Sequence, residues 1–317
     1  MSDVGKFIFT SSEEIYADGT FNTAPEPFCQ VYFLMGRMKD KKPITCGYAL
    51  LPDKEYTTYS KLLEVMKSYM DFDAGYPQRV MLDFEKAVWK AWKEHFPQCE
   101  IVGCNFHHLK AMRTNLDKLG LKSLYGNDVH VQYLVKLVYS LIYVPPSEVV
   151  EIFSQNVCSY LNVIKTEKSQ DWWDANKEKL ESFISYIEKT WIGWQRGSNH
   201  RQPRFAIHSW NKYNDVLQDK QLTNNAVESF NATWIDGLER RPSLYDVLSG
   251  FIRKESGSET ELREECLAVG VNNVDKNKDR KRRESEKRKD LKVLCSNFAS
   301  MPINLYLDSI VSYLKSS

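Results

Sequence analysis

The sequence has almost no net charge, no long apolar run and no secretory signal. Its 43 Lys and Arg stand against 42 Asp and Glu, a formal net charge of +1. Any contact with nucleic acid therefore has to come from local patches. No stretch approaches the roughly 18 consecutive apolar residues of a membrane span. Met1-Ser-Asp-Val-Gly-Lys6 lacks the charged-then-apolar pattern of a signal peptide. The seven cysteines are odd in number and scattered, which points to reduced intracellular thiols. The formal glycosylation sequon at Asn231 has no meaning in that setting. What remains is 317 residues, 42% of them hydrophobic, enough for one large or two ordinary domains of a soluble intracellular protein.

The chain is organised around residues 80–108. Val80, Met81 and Leu82 form a short apolar run, the pattern of a strand buried on both faces, and it ends on Asp83. A helix over Lys86–Phe96 follows, stopped by Pro97. A second strand, Glu100–Gly103, runs into Cys104-Asn-Phe-His107 and another helix. Polar groups at the carboxyl ends of such strands are where open α/β sheets place their chemistry. Upstream, Glu14–Phe21 predicts a first strand with Tyr16, Asp18 and Thr20 on one face. Asp18-Gly19 is either a turn or a place where an ion approaches the backbone. Strands at Cys29–Met38 and Ile44–Leu51 complete a meander, and Thr57–Met70 has the spacing of an amphipathic helix. If the strand ending at Asp83 docks in parallel beside the first, Asp18 and Asp83 become neighbours. Two carboxylates that close repel unless they share a proton or bind a cation, and a hard divalent ion such as Mg²⁺ suits them.

From Val129 to about Trp194 the patterns are helical only: Val131–Tyr143, Ser147–Leu161 and Asp171–Trp191. The aromatics there (Trp172, Trp173, Phe183, Tyr186, Trp191 and Trp194) suit helix packing or base stacking. The basic loop Trp194–Arg204, with Arg196, Arg201 and Arg204, is placed to touch phosphates. Thr223-Asn-Asn225-Ala-Val-Glu228 opens a further helix. With Asn225 as its N-cap, Glu228 falls at the third helical position, so a capping box competes with a catalytic role. Between Lys276 and Asp290 nine basic residues meet four acids, a solvated surface or, at Lys278–Arg283, a nuclear-import signal.

In order, these blocks resemble the catalytic domain of Mutator-like element (MULE) transposases. The resemblance rests on Asp18-Gly-Thr-Phe with Ala24-Pro25 and Phe28-Cys-Gln30, and on Asp83-Phe-Glu-Lys-Ala87 followed by Phe96-Pro97. It continues through Gly103-Cys-Asn-Phe-His107, Trp210-Asn-Lys-Tyr213, Thr223–Glu228 and Arg241-Pro-Ser-Leu244. Leu222 stands where such proteins often have arginine, and Asn231 where histidine is common. The resemblance implies a ribonuclease H-like α/β fold, three antiparallel strands then two parallel, with an all-helical insertion before the last acidic helix. The implied boundaries are 1–125 for the first part of the core, 126–215 for the insertion, 216–255 for core completion and 256–317 for a charged helical extension.

Carried over residue by residue, Asp18, Asp83 and Glu228 form an acidic triad holding two divalent ions, Mg²⁺ with Mn²⁺ substituting, for phosphodiester hydrolysis and strand transfer. The implied partner is double-stranded DNA, with no membrane, in the nucleus, by a homodimer or larger oligomer. Cys104 and His107 make half a zinc site with Cys99 nearby; the competing expectation is a buried strand end and a polar helix start. The resemblance sets His107 beside the acidic centre and Asn225 near it. The chain shows neither an N-terminal zinc-binding recognition module nor a C-terminal Cys/His knuckle. A fragment, or a decayed or host-recruited non-catalytic binding protein, is therefore the alternative to an active transposase.

Overall fold

Apolar residues spaced by two build three strands early in the chain: β1 (Glu14–Thr20), β2 (Gln30–Arg37) and β3 (Ile44–Leu51). They follow α1 (Asp3–Ser11). The computed structural model describes residues 1–39, 41–70, 76–196, 199–225, 227, 229–230, 234, 242–267 and 278–316. After β3 come α2 (Tyr56–Ser68), β4 (Arg79–Leu82), α3 (Lys86–His95), β5 (Glu100–Gly103) and α4 (Asn105–Lys118). The five strands form one mixed sheet in the order β3-β2-β1-β4-β5. The β1–β2 and β2–β3 pairs are antiparallel, and the β1–β4 and β4–β5 pairs are parallel. The chain divides into two units, Met1–Cys104 with Thr223–Val274, and Asn105–Leu222 with Asp275–Ser317.

In the first unit both faces of the sheet are covered, and β1, β2 and β4 are buried along almost their whole length. One face, with Ile15, Ala17, Leu34, Val80 and Leu82, packs under Phe9, Leu63, Met66 and Trp92 of α1, α2 and α3. The other, with Tyr16, Phe33, Met35 and Met81, packs against Val227, Trp234 and Val247. Phe33 meets the Phe230 and Trp234 rings edge-on at 5.2 and 5.5 Å. Sequence reasoning missed α1. Its signal is short: Ser2 accepts from the Gly5 N–H at 3.1 Å as N-cap, and Ile8 and Phe9 alone fill the core.

Strand register is pinned at the end away from Asp18. The buried Glu14 carboxylate takes Arg37 at 3.1 Å, Arg79 at 3.4 Å and the Tyr16 hydroxyl at 2.7 Å. Arg37 and Arg79 are the residues opposite Glu14 on its two neighbouring strands. A slip of one residue would turn Asp83 to the other face and break these pairs together.

The second unit is helical: α4, α5 (Lys122–Asn127), α6 (Val129–Ser140), α7 (Val149–Ile152), α8 (Ser159–Glu167) and α9 (Gln170–Ile187). The expected helix over 147–161 is divided by a wider turn at Phe153–Cys158. The expected basic loop instead carries a two-stranded ribbon, β6 (Trp194–Arg196) with β7 (Asn199–Arg201). Then come α10 (Ile207–Trp210) and α11 (Tyr213–Leu217). The first unit adds α12 (Leu244–Leu267), and the second ends with α13 (Lys278–Ser296) and α14 (Ile303–Ser316). Among the described residues no helix is long and apolar enough to cross a membrane.

His108 of α4 is fully buried, its ring 4.3 Å from Trp191 and 4.9 Å from Trp210. Burial, reinforced by the Lys212 charge, holds its pKa well below the ordinary 6.5. Folded, it stays neutral; unfolded, it takes up a proton below about pH 6.5. The unfolded chain then binds more protons, so stability is retained above that pH and lost as pH falls, by up to about 1.4 kcal/mol per unit. Urea midpoints measured from about pH 7 down to pH 5 are expected to fall, and His108→Leu to flatten the slope. An equal slope in that variant would place the acid sensitivity elsewhere.

Candidate metal centre

The sheet brings Asp18 and Asp83 together. Tyr16 pairs with Met81 in the parallel β1–β4 ladder, so two residues further along Asp18 and Asp83 occupy matching places on one face. Each offers a carboxylate oxygen, and these lie within 4.8 Å of each other. Asp18 is buried, and one of its oxygens accepts from the Gly19 N–H at 2.8 Å. The backbone after β4 is fixed because the Asp83 carbonyl accepts from the Glu85 N–H at 2.8 Å and the Trp89 indole at 2.5 Å. Two hard oxygen donors at this spacing fit Mg²⁺ or Mn²⁺ and suit soft metals poorly.

A cavity of about 60 Å³ adjoins both aspartates, walled also by Gln30, Tyr32, Tyr59 and Glu85. It has room for about two waters. Burial pushes the Glu85 carboxyl above the usual range, while Lys54 and Tyr59 pull the other way. The Tyr32 hydroxyl is raised well above its ordinary value by burial, with Tyr59, Asp83, Asp18 and Glu85 adding to the shift. Sequence reasoning missed Glu85, Tyr32 and Tyr59. The one available signal was the Asp-Phe-Glu spacing, which returns a carboxylate to the same strand end.

Gly19 has a packing reason. A Cβ there would lie 2.2 Å from the Gln30 side-chain oxygen, and the Gln30 amide donates to the Tyr59 hydroxyl at 2.9 Å and the Asp53 carbonyl at 3.2 Å. Gly19→Ala is expected to cost about 1–3 kcal/mol by displacing Gln30. Urea unfolding of Gly19→Ala, Gln30→Ala and the double variant checks this: the two losses should add to less than their sum. Full additivity would show that Gln30 is not what Gly19 makes room for.

Cys104 follows β5 and is fully buried, and its N–H donates to the Leu82 carbonyl at 3.0 Å. Its thiol donates to the Asn224 side-chain oxygen at 2.9 Å, and the Asn224 N–H points back to the sulfur at 3.4 Å. Among the described residues Cys99 and Cys104 join no cluster of three metal-ligating side chains. His107 lies in the first turn of α4, its ring 5.4 Å from that of Phe106.

Glu228 lies outside the described residues. The helix before it starts differently from the expectation: Asn225 is already helical and exposed, and the Asn224 carbonyl accepts from the Val227 N–H at 2.8 Å. Asn224 is therefore the N-cap, and Glu228 falls one position beyond the capping-box site. Arg201 and Arg204 are exposed in the helical unit, Arg204 lying 5.7 Å from the Phe205 ring; Arg196 ends β6.

The fold and this site define a class: a mixed α/β protein with an acidic pair at the carboxyl ends of adjacent parallel strands. Residues 15–111 match the family model of the MULE transposase domain. The match runs from β1 into α4, so it spans Asp18, Asp83, Cys104 and His107. A search of curated proteins returns no match to the chain.

Proposed function

We propose that this protein is the ribonuclease H-like catalytic core of a DNA transposase that hydrolyses phosphodiester bonds and joins the freed 3′-hydroxyl ends to target DNA. The observation that carries this is the Asp18–Asp83 pair, two carboxylate oxygens within 4.8 Å on neighbouring parallel strands. Glu228 supplies the third carboxylate, and divalent Mg²⁺ or Mn²⁺ at this centre would supply Lewis acidity toward the phosphoryl oxygens and the attacking hydroxyl. The chain's own part is positional. Burial of Asp18 and the Gly19 N–H fix one carboxylate, the Asp83 carbonyl bonds fix the turn that carries the other, and the adjoining cavity leaves room for water at the site. His107 and Asn225 are carried over from the family resemblance as further candidates for DNA contact. Arg196, Arg201 and Arg204 meet DNA phosphates, and Lys278–Arg283 directs the protein to the nucleus, where it works as a dimer or larger assembly.

Incubation with supercoiled plasmid tests this reading. Nicking in Mn²⁺, none in EDTA, and products with 3′-hydroxyl ends are expected. Salt-sensitive DNA binding without metal-dependent cutting would overturn it in favour of a non-catalytic derivative.

A further inference from the structure

The Cys104–Asn224 contact joins residues 120 positions apart, and it explains a motif to which the acidic centre alone gives no role. Three bonds converge on one residue. The Cys104 N–H reaches the carbonyl of Leu82, the residue before Asp83. Its thiol donates to the Asn224 side chain and receives the Asn224 N–H. Both side chains are fully buried, so neither bond is shared with bulk water. The preceding residue serves the same junction. A Cβ on Gly103 would lie 2.0 Å from the ring of Phe84, which follows Asp83 and stacks on Trp89 at 5.7 Å. Downstream, the Asn224 carbonyl begins a helical turn whose Val227, Phe230 and Trp234 pack on the sheet.

We propose that Cys104 is a positioning residue, a clasp that ties the strand end before Asp83 to Asn224 and the helical turn that Asn224 opens, ahead of Glu228 in the sequence. This rests on the metal-centre reading above for its purpose, though not for its existence. Glu228 follows Asn224 by four residues in the sequence. Loosening the start at Asn224 is therefore expected to weaken what Glu228 contributes to metal binding. Serine can replace both thiol bonds; alanine can replace neither.

The test has two arms. In hydrogen–deuterium exchange, Cys104→Ala should speed exchange about tenfold in the peptide 223–230, with 79–83 unchanged and Cys104→Ser near the parent. Unchanged exchange at 223–230 would overturn the clasp. In Mn²⁺ titrations, Cys104→Ala should weaken binding about tenfold, and adding Glu228→Gln should cost less than it does alone, because a released carboxylate is already lost to the site. Additive losses, or none in Cys104→Ala, would reduce the contact to core packing and overturn its positioning role. A parent chain that binds no Mn²⁺ would overturn the metal reading, and the exchange arm would still support or overturn the clasp by itself.

Discussion

Asp83→Asn is expected to abolish metal-dependent cleavage while leaving the metal-free fold at least as stable as the parent. The two effects have opposite signs because the carboxylate pair is suited to a cation. Without one, two like charges with oxygens within 4.8 Å repel. An amide keeps the size and one acceptor and removes the repulsion. With Mn²⁺ at about 100 times its Kd, a bound ion stabilises the parent by about 2.7 kcal/mol, and the variant forfeits that gain. Loss of several kcal/mol of transition-state stabilisation corresponds to roughly a thousandfold or more in rate. Asp18→Asn should behave alike. Thermal melts with and without Mn²⁺, beside plasmid nicking, check both halves. Nicking by Asp83→Asn at the parent rate would assign the activity to another site or a contaminant. A large metal-free loss of stability would make the carboxylate a structural group.

The juxtaposition of the two aspartates was legible in sequence because it follows from local rules. Apolar runs bounded by turn residues locate β1, β4 and β5, and a crossover strand docked beside the first puts Asp18 and Asp83 level. What locks that register, Glu14 between Arg37 and Arg79, was not legible, since a buried carboxylate between two arginines looks like ordinary charge in sequence. The helix start at Asn224 shows the same limit. Two adjacent asparagines are equally good caps by type, and a thiol 120 residues away engages the first of them. The β6–β7 ribbon escaped notice because Trp194-Gln-Arg and Asn199-His-Arg lack apolar alternation.

Trp210-Asn-Lys-Tyr213 illustrates how a family block divides into parts, and Asp215→Ala tests one of them. In this block the polar groups hold backbone. The Trp210 indole donates to the Trp191 carbonyl at 3.0 Å, and the Asn211 amide donates to the carbonyls of Leu141 and Val144 at 3.1 and 2.8 Å. Lys212 is fully buried, with its ammonium 3.3 Å from the Asp215 carboxylate. Removing the carboxylate takes this partner from a fully buried cation, and Asp215→Ala is expected to cost about 3–5 kcal/mol. Replacing both partners, Lys212→Met with Asp215→Leu, removes the charge and its desolvation together, and should match the parent or exceed it by about 1–4 kcal/mol. Lys212→Met alone should cost less than Asp215→Ala, because Asp215 keeps 8% exposure whereas Lys212 has none. It should also raise the depressed pKa of His108, one of whose causes is the Lys212 charge, and so narrow the acid-sensitive window. Urea unfolding of the three variants decides the order. If Asp215→Ala costs less than about 1 kcal/mol, the ammonium is compensated by other groups and this pair is not what holds α11 in place.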